Sequence, residues 1–220
     1  MLWGLVPAKL GSAVKTRLGA ALTPAQRVDL AQAMLSDVLA ALGDVRALAG
    51  VAVITRDEAV ATIAARHGAT TLRETEGRGL NEGVAEGIAG CRTLGASGVV
   101  VVMGDLPTLA AKEIELAIAR LPERGLVLVP SFDGTGTNVL AMRPPDLLLP
   151  THFGEGSLAR HRAAAAALGI DIVNCPLRGA ALDIDTVDDL RRLMRADGQG
   201  AATRRVLAAL RHPDLPAPRA

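Results

Sequence analysis

Tyrosine is absent from the sequence, and one tryptophan and two phenylalanines are all the aromatic side chains among 220 residues. A surface that binds single strands by stacking bases on aromatic rings is therefore excluded. A large core must be built from aliphatic side chains, which the 50% hydrophobic content supplies. Charge of one sign is also missing: 24 Lys and Arg face 23 Asp and Glu. Without a basic excess, nucleic acid is not expected as a partner. The two cysteines, Cys91 and Cys175, stand far apart with no Cys-x-x-Cys or His-rich neighbourhood. This argues against a structural zinc site or a disulfide framework and for two buried thiols. No apolar run approaches the roughly 20 residues of a membrane span. The opening Met-Leu-Trp-Gly-Leu-Val-Pro is too short for a secretion signal. The expectation is a cytoplasmic protein with no membrane association.

What is present is an alternation of short apolar runs with longer helical patterns, which predicts a single α/β domain whose mostly parallel sheet is covered by helices. Strands are expected at Leu2 to Val6, Val51 to Ile54, Thr70 to Leu72, Val99 to Met103, Leu126 to Val129 and Ile170 to Val173. Thr137 to Met142 reads as a further strand, antiparallel to its neighbours. Thr23-Pro24-Ala25-Gln26 has the form of a capping box with proline at the first helical position, opening a helix to about Leu42. Ser157 is placed as the cap of a helix through His161 to Leu168. The domain is drawn at residues 1–197, with 198–220 as a partly disordered tail containing one short helix near Val206.

Three segments carry candidate chemistry. After the first strand, Lys9, Lys15 and Arg17 fall within nine positions, in the kind of strand-to-helix crevice where open α/β sheets bind ligands. Backbone N–H groups and a nearby helix terminus suit phosphate there, although the P-loop spacing is missing. The second segment is Gly104-Asp105-Leu106-Pro107, where a carboxylate directly follows four valines in a buried strand. The third is Asp183-Ile184-Asp185, whose alternation puts two carboxylates on one face of an extended segment, as a divalent ion bridging phosphates requires. Each also has a plain structural explanation: a solvated basic loop, a turn aspartate and a helix cap. Together they supply what phosphoryl transfer needs, namely neutralising charge and in-line positioning. A phosphate oxygen is anionic at neutral pH, so its attack on phosphorus needs no general base, and the lack of a Ser/His/Asp pattern is no objection.

These segments, with Gly134-Thr135-Gly136-Thr137-Asn138, Phe153-Gly154-Glu155-Gly156-Ser157, Arg160-His161-Arg162 and Thr186, occur in an order that resembles the guanylyltransferases of deazaflavin coenzyme F-420 biosynthesis. The resemblance runs from Leu5 to about Leu193. Those enzymes couple GTP to 2-phospho-L-lactate, phosphoenolpyruvate or 3-phospho-D-glycerate with release of pyrophosphate. The resemblance implies a Rossmann-like sheet of the nucleotide-diphospho-sugar-transferase architecture. It also implies Mg2+ held by Asp105, Asp183 and Asp185, and a triphosphate gripped by Lys9 and Lys15 with Arg17 in support. Leu80, Asn81 and Gly104 would lie along the nucleotide, with Asn81 at a purine edge. Thr137, Gly154 and Ser157 would bind the phosphorylated acid. The next transferase of the pathway, which accepts the unstable product, is the implied partner, and a homodimer is compatible. The neutral Leu10-Gly11-Ser12 between the lysines departs from the family pattern. Two other readings remain at this point: a nucleotidyltransferase for a sugar phosphate or a molybdopterin-type cofactor, and a nucleotide-binding regulator without catalysis. His161 is left between substrate contact and helix surface, and Arg191, Arg192 and Arg195 are expected on a solvated helix face.

Overall fold

The computed structural model describes residues 1–11, 14–75 and 79–210. Seven strands form one sheet among these residues: β1 (Leu2–Pro7), β2 (Leu48–Thr55), β3 (Thr70–Arg73), β4 (Gly98–Val102), β5 (Gly125–Pro130), β6 (Thr137–Arg143) and β7 (Ile172–Asn174). Their spatial order is β3-β2-β1-β4-β6-β5-β7. All neighbours are parallel except β6, which runs against both β4 and β5. The expected antiparallel strand at Thr137 is therefore present.

Buried on both faces, the central strands are continuous apolar runs, as the valines of β4 show by being wholly buried. One face packs against α1 (Pro24–Gly43), α2 (Glu58–Arg66) and α4 (Ala111–Ala119), and the other against α3 (Leu80–Thr93) and α5 (Ser157–Ala167). The capping box forms as expected: Thr23 accepts from Gln26 N while the Gln26 side chain accepts from Thr23 N, with Pro24 at the first position. A second box starts α6 (Val187–Arg195), where Thr186 and Asp189 cap each other. Cys91 and Cys175 are buried and unbridged. No helix among the described residues is long and apolar enough to cross a membrane.

The expected boundary at residue 197 has to be moved. Helix α7 (Ala201–Ala209) packs on α1, and Leu207 and Leu210 join Leu30, Met34, Leu190 and Leu193 in a third apolar cluster. Asp37 of α1 caps α7 from outside, accepting from Ala202 N at 2.9 Å and Thr203 N at 2.7 Å. Gly200 is what lets the two approach, since a Cβ there would lie 2.0 Å from Asp37 Cγ. The folded body thus extends through Leu210. The rest of the expected tail, residues 211–220, lies outside the described residues.

Strand order reverses between β1 and β4, the two strands whose connections leave in opposite directions. A crevice opens at the carboxyl ends of such a pair. Because β6 is antiparallel, it brings its start to that same edge: Met103 N, just past β4, donates to Asn138 O at 3.1 Å.

Candidate active site

Three chain segments meet over this crevice. From β1 comes the loop that ends in a single 3-10 turn at Thr16–Leu18, entered through Lys15 in the left-handed region (φ 51°, ψ 42°). Lys15 is the only non-glycine residue with positive φ among those described, a conformation that costs energy and concentrates at functional sites. Its ammonium donates to Asp105, just beyond β4, and to Asp185 Oδ1 at 2.8 Å. Arg17 Nη2 takes the other oxygen of Asp185 at 2.7 Å. Burial disfavours a charged Lys15, but the two carboxylates outweigh it and hold the ammonium well above its ordinary pKa. Burial likewise opposes ionisation of Asp185, and Lys15 and Arg17 together overcome it, so its pKa is lowered. Asp183 goes the other way: burial, then the nearby charge of Asp105, raise its pKa. Asn138 fastens this third segment to β6, donating to Ala180 O, Ala181 O and, at 3.1 Å, Asp183 Oδ1.

Two clefts share Met103, Asp105 and Asp185 as a common wall. The smaller, of about 270 Å³, is lined by Lys9, Lys15 and Gly104. Lys9 stands at its mouth, paired at 2.9 Å with the buried carboxylate of Glu74. The larger, of about 990 Å³, takes in Arg17, Leu80, Thr137, Gly154, Ser157 and Asp183. Thr137 and Ser157, from segments twenty residues apart, are in direct contact: Thr137 N donates to Ser157 Oγ at 2.8 Å. A further cavity of about 410 Å³, between α1, α2 and α7, holds none of these residues.

Four placements differ from the sequence reading. Asn81 does not present a free amide to a purine. Its Oδ1 accepts from Phe153 N at 2.7 Å and Thr151 Oγ1 at 2.9 Å, and its Nδ2 donates to Phe153 O at 3.1 Å, so it anchors the loop before α5. Ser157 is not the cap of α5: Gly156, in the left-handed region, holds that position. Arg192 is not simply a solvated cation, because its guanidinium lies 4.9 Å above the exposed Phe132 ring at the rim of the larger cleft. His161 is not on a helix surface; it is fully buried beneath Thr137. The sequence reading missed Glu74 altogether, because no spacing rule links a strand-end glutamate to a lysine 65 positions earlier.

The chain matches the family model described as "Guanylyl transferase CofC like" over residues 3–215. It is 40% identical over 199 residues to the phosphoenolpyruvate guanylyltransferase of Sphaerobacter thermophilus, covering 90% of this chain and 95% of that one. It is 35% identical over 204 residues to the 3-phospho-D-glycerate guanylyltransferase of Phenylobacterium zucineum, covering 91% and 93%. Among solved structures it resembles one from Desulfovibrio desulfuricans G20, provisionally named a nucleotide-diphospho-sugar transferase. The TM-score is 0.75 at 19% identity, over 94% of this chain and 93% of the other. At that identity the likeness is one of fold.

Proposed function

The chain belongs to the guanylyl transferase family so matched and is a guanylyltransferase, and from that premise we propose that it joins the GMP unit of GTP to the phosphate of a three-carbon acid. Phosphoenolpyruvate, 3-phospho-D-glycerate and 2-phospho-L-lactate are the candidate acids. An oxygen of the acid's phosphate attacks the α-phosphorus of GTP, a new P–O bond forms, and the bond to the β-phosphate breaks with pyrophosphate leaving. The observation that carries this reading is the wall between the two clefts. There Lys15, Arg17, Asp105 and Asp185 form one charged cluster, with Asp183 beside it and Thr137 and Ser157 facing the same larger cleft. Lys15 and Arg17 offset charge on the phosphates, Lys9 stands at the mouth of the smaller cleft, and Thr137, Ser157 and Gly154 receive the acid.

Magnesium belongs to this proposal. Among the described residues no group of three or more ligating side chains already closes on one point; Asp105 and Asp185 meet at the Lys15 ammonium instead. The donor set nonetheless fits a hard divalent ion. Two carboxylates already flank a cation, and Asp183 resists ionising partly because Asp105 is close, a repulsion that a divalent charge relieves. Asp105, Asp183 and Asp185 would hold the ion, which when bound supplies neutralisation of the phosphate oxygens. We place the reaction in the cytoplasm, in coenzyme F-420 biosynthesis. Its product, an energy-rich phosphoanhydride, suits direct transfer to the next enzyme, and a homodimer is compatible with the fold.

Pyrophosphate release tests the reading, with each of the four NTPs supplied alone, with each candidate acid and with a sugar phosphate. Release is expected only from GTP together with one of the acids. Faster release from CTP with a sugar phosphate would move the chain to a different transferase reaction.

A further inference from the structure

His161 uses both ring nitrogens, and one of its two bonds has an unambiguous direction. The backbone N–H of His152 donates to His161 Nε2 at 3.0 Å. Nε2 must therefore present a lone pair, and a neutral imidazole then carries its proton on the other nitrogen. The contact of 3.0 Å between Nδ1 and Thr137 Oγ1 is accordingly a bond from Nδ1–H to the hydroxyl oxygen. Burial first, then the charges of His152 and Arg160, lower the His161 pKa to about 4, so the ring is neutral near pH 7. Thr137 thus receives a bond, and its own O–H is left to be donated; no protein acceptor for it occurs among the described residues. Ser157 Oγ is filled in the same sense by Thr137 N. Both residues line the larger cleft and are almost wholly buried, Thr137 being 3% and Ser157 2% exposed.

Resting on the reaction given above, we propose that His161 is a positioning residue for the acid substrate. It fills one lone pair of the Thr137 hydroxyl and so biases that group to donate its O–H to an anionic oxygen, carboxylate or phosphate. A hydroxyl left to itself can rotate and accept; one whose oxygen is filled by a fixed N–H cannot do so as readily. The histidine is itself held: Phe153 meets its ring edge-on at 5.0 Å between centroids, and Asn81 fixes Phe153 through both backbone groups. The device therefore selects for anions over neutral donor groups.

Two measurements test this. Nitrogen-15 NMR of labelled histidine in the intact protein near pH 7 should show His161 protonated at Nδ1 and bare at Nε2. The opposite tautomer overturns the proposal without any substitution. The second is a kinetic cycle. Thr137→Val should raise the KM for the acid about tenfold or more, with the KM for GTP unchanged. His161→Gln can keep an acceptor for His152 N–H but loses the Nδ1 donor, and should give the same split. The double variant should be no worse than Thr137→Val alone, because His161 acts through that hydroxyl. His161→Asn, whose Nδ2 stands near the Nδ1 position, should recover most of the loss. Multiplying losses in the double variant would mean that His161 acts only by holding the loop, and would end the proposal. If His161→Gln does not fold, the tautomer of the unaltered protein decides. If the unaltered protein transfers GMP to none of the three acids, the reaction is wrong while the tautomer result still stands.

Discussion

Lys15 sits between two carboxylates in a backbone conformation that side chains avoid, and at the residue scale the cluster around it sets the first test. Asp105→Asn removes one charge from the wall between the clefts and leaves Asp185 to hold Lys15. Turnover should fall roughly a hundredfold or more, with the circular dichroism unchanged; a near-normal rate would take Asp105 out of the chemistry. Excess EDTA should abolish activity and added Mg2+ or Mn2+ restore it, whereas turnover persisting in chelator would leave the cations of the loop as the only neutralising groups. His161 supplies a second test, in stability. Its pKa is about 4 in the folded protein against about 6.5 unfolded, so between those values the unfolded chain binds the extra proton. Stability is then fully present above about pH 6.5 and is lost as pH falls through about 4, by up to the order of 3 kcal/mol. Urea melts from pH 7 to 4 should show a shallower decline in His161→Gln than in the unaltered protein. Equal slopes would contradict a neutral buried ring.

At the scale of elements, the turn before α5 depends on Gly154, which the family resemblance implies as part of the acid site. A Cβ there would meet only Arg160 Nη2, at 3.4 Å, while the φ of 109° is one that other residues rarely adopt. Backbone strain of about 1–3 kcal/mol thus decides the outcome. Gly154→Ala should raise the KM for the acid at least tenfold and leave the KM for GTP alone, read from one saturation curve per substrate. Equal rises in both would assign this turn to the nucleotide. Elements whose signals are local were legible in advance. The Thr23–Gln26 box, the valines of β4 and the antiparallel strand at Thr137 all formed where pattern and capping chemistry placed them. The roles of Asn81, Ser157 and His161 were not legible. Each depends on a partner brought close only by the assembled sheet, and no spacing along the chain encodes that.

On the scale of the whole molecule, α7 is the feature that sequence alone undervalued. An alanine-rich stretch after a Gly/Gln linker reads as a tail, and its attachment depends on Asp37, some 165 positions earlier in the chain. Leu207→Ala should cost about 2–5 kcal/mol, as buried leucine truncations do, and Asp37→Ala about 1–2 kcal/mol as a lost cap. Urea midpoints measure both. Stability unchanged in both variants would return α7 to the status of an appendage.

The reversed direction of β6 has one more consequence. Because that strand starts at the crevice and the chain returns to it through the loop before α5, residues 137–161 contribute Thr137, Gly154, Ser157 and His161 as one uninterrupted piece of chain. The charged cluster is assembled from other stretches, around residues 15–17, 105 and 183–185. If the acid binds as proposed, acceptor choice and phosphoryl chemistry are written in separate passages of the gene, linked by Asn138, which reaches from β6 to Asp183 Oδ1. A single crossover-bounded exchange that keeps Asn138 could retune one without rewriting the other, and a library shuffled at those borders would be a compact way to explore new acceptors.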